Sequence, residues 1–180
     1  CRRMIAEHLT FKESFFFGRT DLANDAELLQ LLHDAHLTRV LIGIESLNQN
    51  ALDEIHKGQN IEDIRKAGAA CEKYKIRMIA SIVLGLDEDT KKDMDKSVAF
   101  AKSIHAYQLQ PAILTPFPGT PVYDQFCQDH RMITSDWSRF DMMNVTFLPK
   151  HMSPWELQET FYEASKYFYD FKSVKDIRQI

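Results

Sequence analysis

Glu45 is the residue whose setting most asks for a chemical explanation. It closes the apolar run Arg39-Val40-Leu41-Ile42-Gly43-Ile44 and is followed by Ser46. A carboxylate at the end of a buried strand is costly unless it meets a ligand or a partner. It would accept hydrogen bonds from sugar hydroxyls or from an amino group. An ion pair with Arg19 or Lys57 is the competing reading, and the residues alone leave both open. Arg19 suits an anionic group as a two-pronged fork and Lys57 as a point charge, although each by itself is an ordinary surface charge. Gly85, after Ile82-Val83-Leu84, lets backbone approach a ligand closely, while a simple turn is the commoner use of such a glycine. The stiff loop Phe117-Pro118-Gly119-Thr120-Pro121 is either a pocket wall or a rigid entry to a helix with Pro121 in its first turn.

Other chemistry is poorly represented. His33 and His36 are three apart and would share the solvated face of a helix. No HxH, HExxH or close cysteine pair offers a metal site, and neither GxSxG nor a phosphate-binding loop occurs. Asp87-Glu88-Asp89 would attract a divalent cation, but an acidic helix start favoured by the macrodipole is the simpler account. Trp137, Phe161, Tyr162, Phe168 and Tyr169 read as packing aromatics.

The elements that must position these groups alternate between short apolar runs and helical stretches, the pattern of a parallel α/β sheet. The runs are Phe15-Phe16-Phe17, 39–44, 76–84 and 107–114. Asn24 and Glu27 form a capping-box pattern ahead of Leu28, Leu29, Leu31, Leu32 and Ala35. A short helix ending near Gly58 and a second over 61–74 follow the second run, which is apolar enough for burial on both faces. Ser153-Pro154-Trp155-Glu156 then opens an aromatic-rich helix. Four strand–helix units fall short of the eight in a closed barrel. The expected organisation is a lead-in over 1–14, a partial (β/α) barrel over 15–130 and a C-terminal helical extension over 131–180. In such folds ligands gather where strands end, which selects the loops holding Arg19, Glu45, Gly85 and Thr115.

With 180 residues, 44% of them hydrophobic, the chain can bury a core. A net charge of −4 argues against a large nucleic-acid footprint, and no apolar run is long enough to span a bilayer. Three scattered cysteines fit a reducing cytoplasm. The start at Cys1, without an initiator Met or an apolar leader, reads as an excerpt from a longer chain.

In order and spacing, the loop segments resemble the radical S-adenosylmethionine (radical SAM) superfamily. They are closest to its branch with cobalamin-binding members, which includes anaerobic magnesium-protoporphyrin monomethyl ester cyclases and methyltransferases. Leu41-Ile42-Gly43-Ile44-Glu45-Ser46, with Lys57-Gly58-Gln59 beyond, is similar to the family's fourth strand and the helix after it. Ile82 to Thr90 is similar to its fifth strand and glycine turn, and Thr115 to Pro121 to its sixth-strand exit. The resemblance runs over nearly the whole chain from Phe15. It implies SAM contacts from Glu45 and Ser46, with Arg19 near the methionyl end or the substrate and Lys57 on the SAM carboxylate. It also implies that Ser81 to Gly85 pass beside the ribose and adenine, and that Leu114 and Thr115 flank the adenine. Ser81 stands where the family often has glycine.

One departure matters. The family holds a [4Fe–4S] cluster with CxxxCxxC, and that pattern does not occur in these residues. The expectation is therefore the C-terminal portion of an enzyme that reductively cleaves SAM for radical chemistry on an unknown small organic substrate, and that is inactive without its other half. Its implied partners are the N-terminal barrel half, an electron donor and, for some members, a cobalamin-binding domain. The rivals are a cluster-free SAM- or nucleotide-binding module, a metal-assisted or aldolase-like barrel, and a half-barrel used for protein association through its open edge.

Overall fold

The computed structural model describes residues 1–9, 11, 14–48, 52 and 60–169. Lys57 and the helix expected to end near Gly58 lie outside the described residues. A short helix, α1 (Arg2–Ala6), precedes strand β1 (Phe15–Gly18). A 3₁₀ turn over Thr20–Asn24 leads into α2 (Ala26–Asp34), and β2 (Arg39–Glu45) follows. The next units are α3 (Ile61–Lys73), β3 (Arg77–Leu84), α4 (Lys91–Ser103) and β4 (Gln108–Ile113). The chain then forms α5 (Pro121–Gln128), a 3₁₀ turn at Trp137–Arg139 and α6 (Pro154–Tyr169).

The four strands are parallel and lie in the order β1-β2-β3-β4. This is the α/β architecture of a partial barrel, with each strand paired to its neighbour in sequence. Helices return the chain to the same end of the sheet, as parallel pairing demands. One sheet face is sealed by them: Val40, Ile42, Ile44, Ala80, Ile82 and Leu84 are fully buried in a core with Leu29, Leu32, Ile64, Ala67, Met94 and Val98.

The opposite face is not sealed. β2 alternates buried and half-buried residues instead of being buried throughout, because Leu41 and Gly43 lie on the concave side of an incomplete barrel. On β1, Phe15 and Phe17 are exposed on that side and stack edge-to-face at 5.0 Å. The register places Gly43 beside Ser81 and Ser81 beside Gln110, so one layer of the concave face carries a glycine, a hydroxyl and an amide.

Local capping follows the sequence with one shift. The N-cap of α2 is Asp25, whose carboxylate accepts the Leu28 N–H at 2.8 Å. Asn24 is taken up by the 3₁₀ turn, and Glu27 pairs with Arg2. His36 lies past the end of α2 with φ of 58°, so it does not share a helical face with His33. Thr120 caps α5 with Pro121 in its first turn. Ser153 and Glu156 make the expected reciprocal cap on α6, with the Ser153 N–H donating to Glu156 at 2.7 Å and the Glu156 N–H to Ser153 Oγ at 3.2 Å.

α6 packs across α4 and β4. Lys91 reaches Glu163 at 2.9 Å, and the Tyr169 hydroxyl both accepts the Leu109 N–H and donates to the Leu109 carbonyl. Between α5 and α6, Met132 and Phe147 form an antiparallel bridge, and the Ile113 N–H donates to Met142 O, so this segment lines the end of β4.

Candidate functional site at the strand exits

The C-terminal ends of β2, β3 and β4 converge on one rim. At the first, a bulge falls between Gly43 and Glu45, and Glu45 itself has φ of 65°. A bulky residue seldom adopts the left-handed region, and bulges re-aim side chains where strands end. Glu45 is half-buried at this mouth. Ser46 behind it is 1% exposed, and its hydroxyl donates to Asp89 at 2.9 Å while accepting the Asn48 N–H at 3.0 Å. The Leu47 N–H donates to Ser97 Oγ at 3.0 Å, and the Asn48 amide to the Glu88 carbonyl at 2.8 Å. Ser46 therefore faces inward as a strut.

At the second exit, Gly85 has φ of 85°, and a Cβ there would lie 2.6 Å from Leu157 on α6. The turn and the packing of Leu157 require the glycine, and the side where a Cβ would stand is filled by that helix. Ser81, four residues earlier, is half-buried on the concave face. Asp87 and Asp89, expected as a helix-start acidic cluster, do other work. α4 is opened by Thr90 and Asp93 in a capping box. Asp87 takes a two-pronged contact from Arg131 at 2.5 and 2.7 Å and one from Lys150 at 3.0 Å. Burial raises the pKa of Asp87, but the hydrogen bonds and charges of Arg131 and Lys150 outweigh it and hold the carboxyl below its ordinary value. Arg131 also lies over the Phe126 ring at 4.0 Å and donates to the Leu148 carbonyl. No group of three or more acidic, histidine or cysteine side chains fit for a metal exists among the described residues.

At the third exit, the Leu114 N–H donates to Leu84 O at 2.9 Å, which ties β4 to β3 at the rim, and Thr115 Oγ1 donates back to Ile113 O. Arg19 follows β1, well exposed, with Asp21 at 3.8 Å. The rim thus brings together Glu45, Ser46, Gly85, Leu114 and Thr115, with Ser81 one layer below and Arg19 at the neighbouring strand end. Sequence reasoning missed Asp89 as the partner of Ser46 and Arg131 as the partner of Asp87. They are 43 and 44 residues apart in the chain, and no local spacing connects them.

Residues 4–101 match the pattern of the Radical SAM superfamily. The chain belongs to that superfamily. It is 26% identical over 163 residues to the bacteriochlorophyllide d C-8(2)-methyltransferase of Chlorobaculum tepidum, covering 89% of this chain and 36% of that protein. Against the anaerobic magnesium-protoporphyrin IX monomethyl ester cyclase of Synechocystis it is 25% identical, covering 87% of this chain and 31% of the relative. The fold matches the radical SAM methyltransferase TsrM from Kitasatospora setae, solved with cobalamin and a [4Fe–4S] cluster, with a TM-score of 0.61 at 16% identity over 89% of this chain and 34% of that one. The chain thus spans about a third of the length of these relatives.

SAM and a [4Fe–4S] cluster are the cofactors of this superfamily, and the TsrM neighbour adds cobalamin. The chemistry of the rim is compatible with SAM, whose amino group and ribose diol are donors that a half-buried carboxylate such as Glu45 can accept. The cysteines here do not suit the cluster. Cys71 is buried on α3, where desolvation pushes its pKa up to about 11, while Cys127 is exposed on α5 and Cys1 lies at the start of α1. A thiol held protonated by an apolar core is a poor metal ligand. No helix among the described residues is long and apolar enough to cross a membrane.

Proposed function

We propose that this chain forms the SAM-facing rim of a radical SAM barrel, in a protein that cleaves SAM reductively to begin radical chemistry on an organic substrate. The observation that carries the reading is Glu45: a half-buried carboxylate at φ of 65°, on a bulge at the end of a family-matched strand. An unfavourable backbone conformation is retained only where the surroundings enforce it, and such residues cluster at functional sites. Glu45 accepts hydrogen bonds from SAM in this reading. Ser81 and the backbone leading to Gly85 line the ribose and adenine, and Leu114 with Thr115 closes over the adenine. Arg19 and Lys57 meet the methionyl carboxylate or the substrate, and Ser46 acts from behind.

When bound, SAM supplies a C5′–S bond that breaks on one-electron reduction to give methionine and a 5′-deoxyadenosyl radical. The protein's part is to orient the sulfonium and to keep water from the rim. The cluster's ligands come from outside these 180 residues, as do the remaining barrel strands, which would cover Phe15 and Phe17 beyond the free edge of β1. Within the C-terminal extension, the segment at Met142 would shape the rim from the β4 side. The names of the relatives support a tetrapyrrole cyclase-like or methyl-transfer reaction as the reaction class, with cobalamin in the second case. A cytoplasmic setting and an electron donor belong to the same proposal.

The test is anaerobic reconstitution of the intact protein with iron and sulfide, followed by SAM and a reductant, with 5′-deoxyadenosine as the readout. Formation that falls at least tenfold in Glu45→Ala supports the reading. A protein that binds SAM and forms no 5′-deoxyadenosine would be a cluster-free binding module instead.

A further inference from the structure

Behind Glu45 lies a set of buried polar bonds that the SAM contacts do not use. Asp89 is 2% exposed, and its carboxylate accepts the Ser46 hydroxyl at 2.9 Å. The same hydroxyl takes the Asn48 N–H at 3.0 Å. Ser97, 2% exposed on α4, accepts the Leu47 N–H at 3.0 Å, and its hydroxyl donates to the Asp93 backbone carbonyl at 3.0 Å. Each of the three residues after Glu45 is thus tied to the β3–α4 unit. A buried carboxylate is a poor way to add stability, since an apolar replacement of the same shape often serves as well. What such bonds do well is fix one backbone path. Ser46 follows directly on the left-handed residue, so fixing its side chain fixes the direction in which the chain leaves Glu45.

We propose that Ser46, Asp89 and Ser97 are positioning residues that hold Glu45 in its left-handed conformation and so set the angle of its carboxylate at the rim. The proposal rests on the reading of Glu45 as a SAM contact. It adds that the β2 exit is aimed by a strut from the β3 exit, across the sheet. Asp87, two residues before Asp89, is clamped by Arg131, so the strut is itself anchored to the segment after α5.

The experiment is a double-mutant cycle in the intact protein, titrating S-adenosylhomocysteine calorimetrically, with amide hydrogen exchange on the same variants. Glu45→Ala is expected to weaken binding roughly tenfold, and Ser46→Ala by nearly as much, as for coupled residues in contact. The double variant should bind no more weakly than Glu45→Ala alone, and Ser46→Thr should restore affinity. In Ser46→Ala the Leu47 and Asn48 amides should exchange about tenfold faster or more. Should Ser46→Ala fail to fold, Ser97→Ala frees the Leu47 N–H and serves in the same cycle, while Asp89→Asn keeps an acceptor for Ser46 and separates the bond from the charge.

Additive losses in the double variant, or unchanged exchange at Leu47 and Asn48, would overturn the positioning role and leave Glu45 as a SAM contact. Unchanged affinity in Glu45→Ala would overturn the reading of Glu45 and this proposal with it. Faster exchange in Ser46→Ala would then mark the strut as purely structural.

Discussion

Two strands of this sheet end in the same unusual backbone conformation and fill it with different residues. β3 leaves through Gly85 at φ of 85°, and β2 through Glu45 at φ of 65°. At Gly85 the structure explains the residue completely, because a left-handed turn and the Leu157 side chain leave no room for a Cβ. At Glu45 the same positive φ would suit glycine, yet the chain carries a carboxylate there. Packing explains one exit, and the proposed SAM contact would explain the other. A glycine at a strand exit is weak evidence of ligand contact, and a carboxylate at positive φ is the better place to test for one.

The sharpest way to break this contrast is Gly85→Ala. The left-handed penalty of about 1–2 kcal/mol adds to overpacking of about 1–3 kcal/mol against a fully buried Leu157. A loss of roughly 3 kcal/mol in urea unfolding is expected, and a smaller further loss when Leu157→Ala is already present. A change below about 1 kcal/mol would mean that Gly85 is not there for packing.

Arg131→Ala should come next. Its partner Asp87 is only 10% exposed, so removing the guanidinium leaves the carboxylate with Lys150 alone, at a cost of about 1–3 kcal/mol. The folded-state pKa of Asp87 is depressed, so the lock stabilises fully above the ordinary carboxylate value and is lost as pH falls through the lower folded value. The gap between wild type and Arg131→Ala should therefore narrow in acid without closing, since the stacking of Arg131 on Phe126 does not titrate.

At the other exit, the usual order of substitutions should invert. Glu45→Gly is expected to be more stable than Glu45→Ala by about 1 kcal/mol, because both lose the side chain and only glycine relieves the backbone. Equal stability would show that Glu45 is not strained, and the contrast would fail.

The smallest effect is expected from Lys91→Met on the outer face. The pair with Glu163 raises the Lys91 pKa, so it stabilises below the ordinary lysine value and fades as pH rises past the folded one. At 47% exposure for Lys91, the loss at neutral pH should stay under about 1 kcal/mol.

Much of the frame was legible from local rules. Short apolar runs placed the four strands, Ser153 and Pro154 placed the start of α6, and Pro121 marked the first turn of α5, since these signals act within a few residues. Asn24 misled because its neighbour Asp25 offers the same capping chemistry, and only the 3₁₀ turn at 20–24 decided between them. The acidic stretch misled further: Asp87 and Asp89 read as one cluster in sequence, yet they point to opposite anchors. Lys57 falls outside the described residues, so its place at the rim is carried by the resemblance alone.

The sequence by itself determined the class of fold, a partial barrel of four parallel strand–helix units. Hydrophobic period and helix caps are short-range, and parallel connections admit few topologies. Only the tertiary structure decided that Ser46 turns inward to Asp89, that Gly85 packs against Leu157 and that Glu45 sits at positive φ beside a bulge. Those facts depend on groups brought together across 40 to 70 residues, and on which buried polar atom finds which partner, which no spacing along the chain encodes.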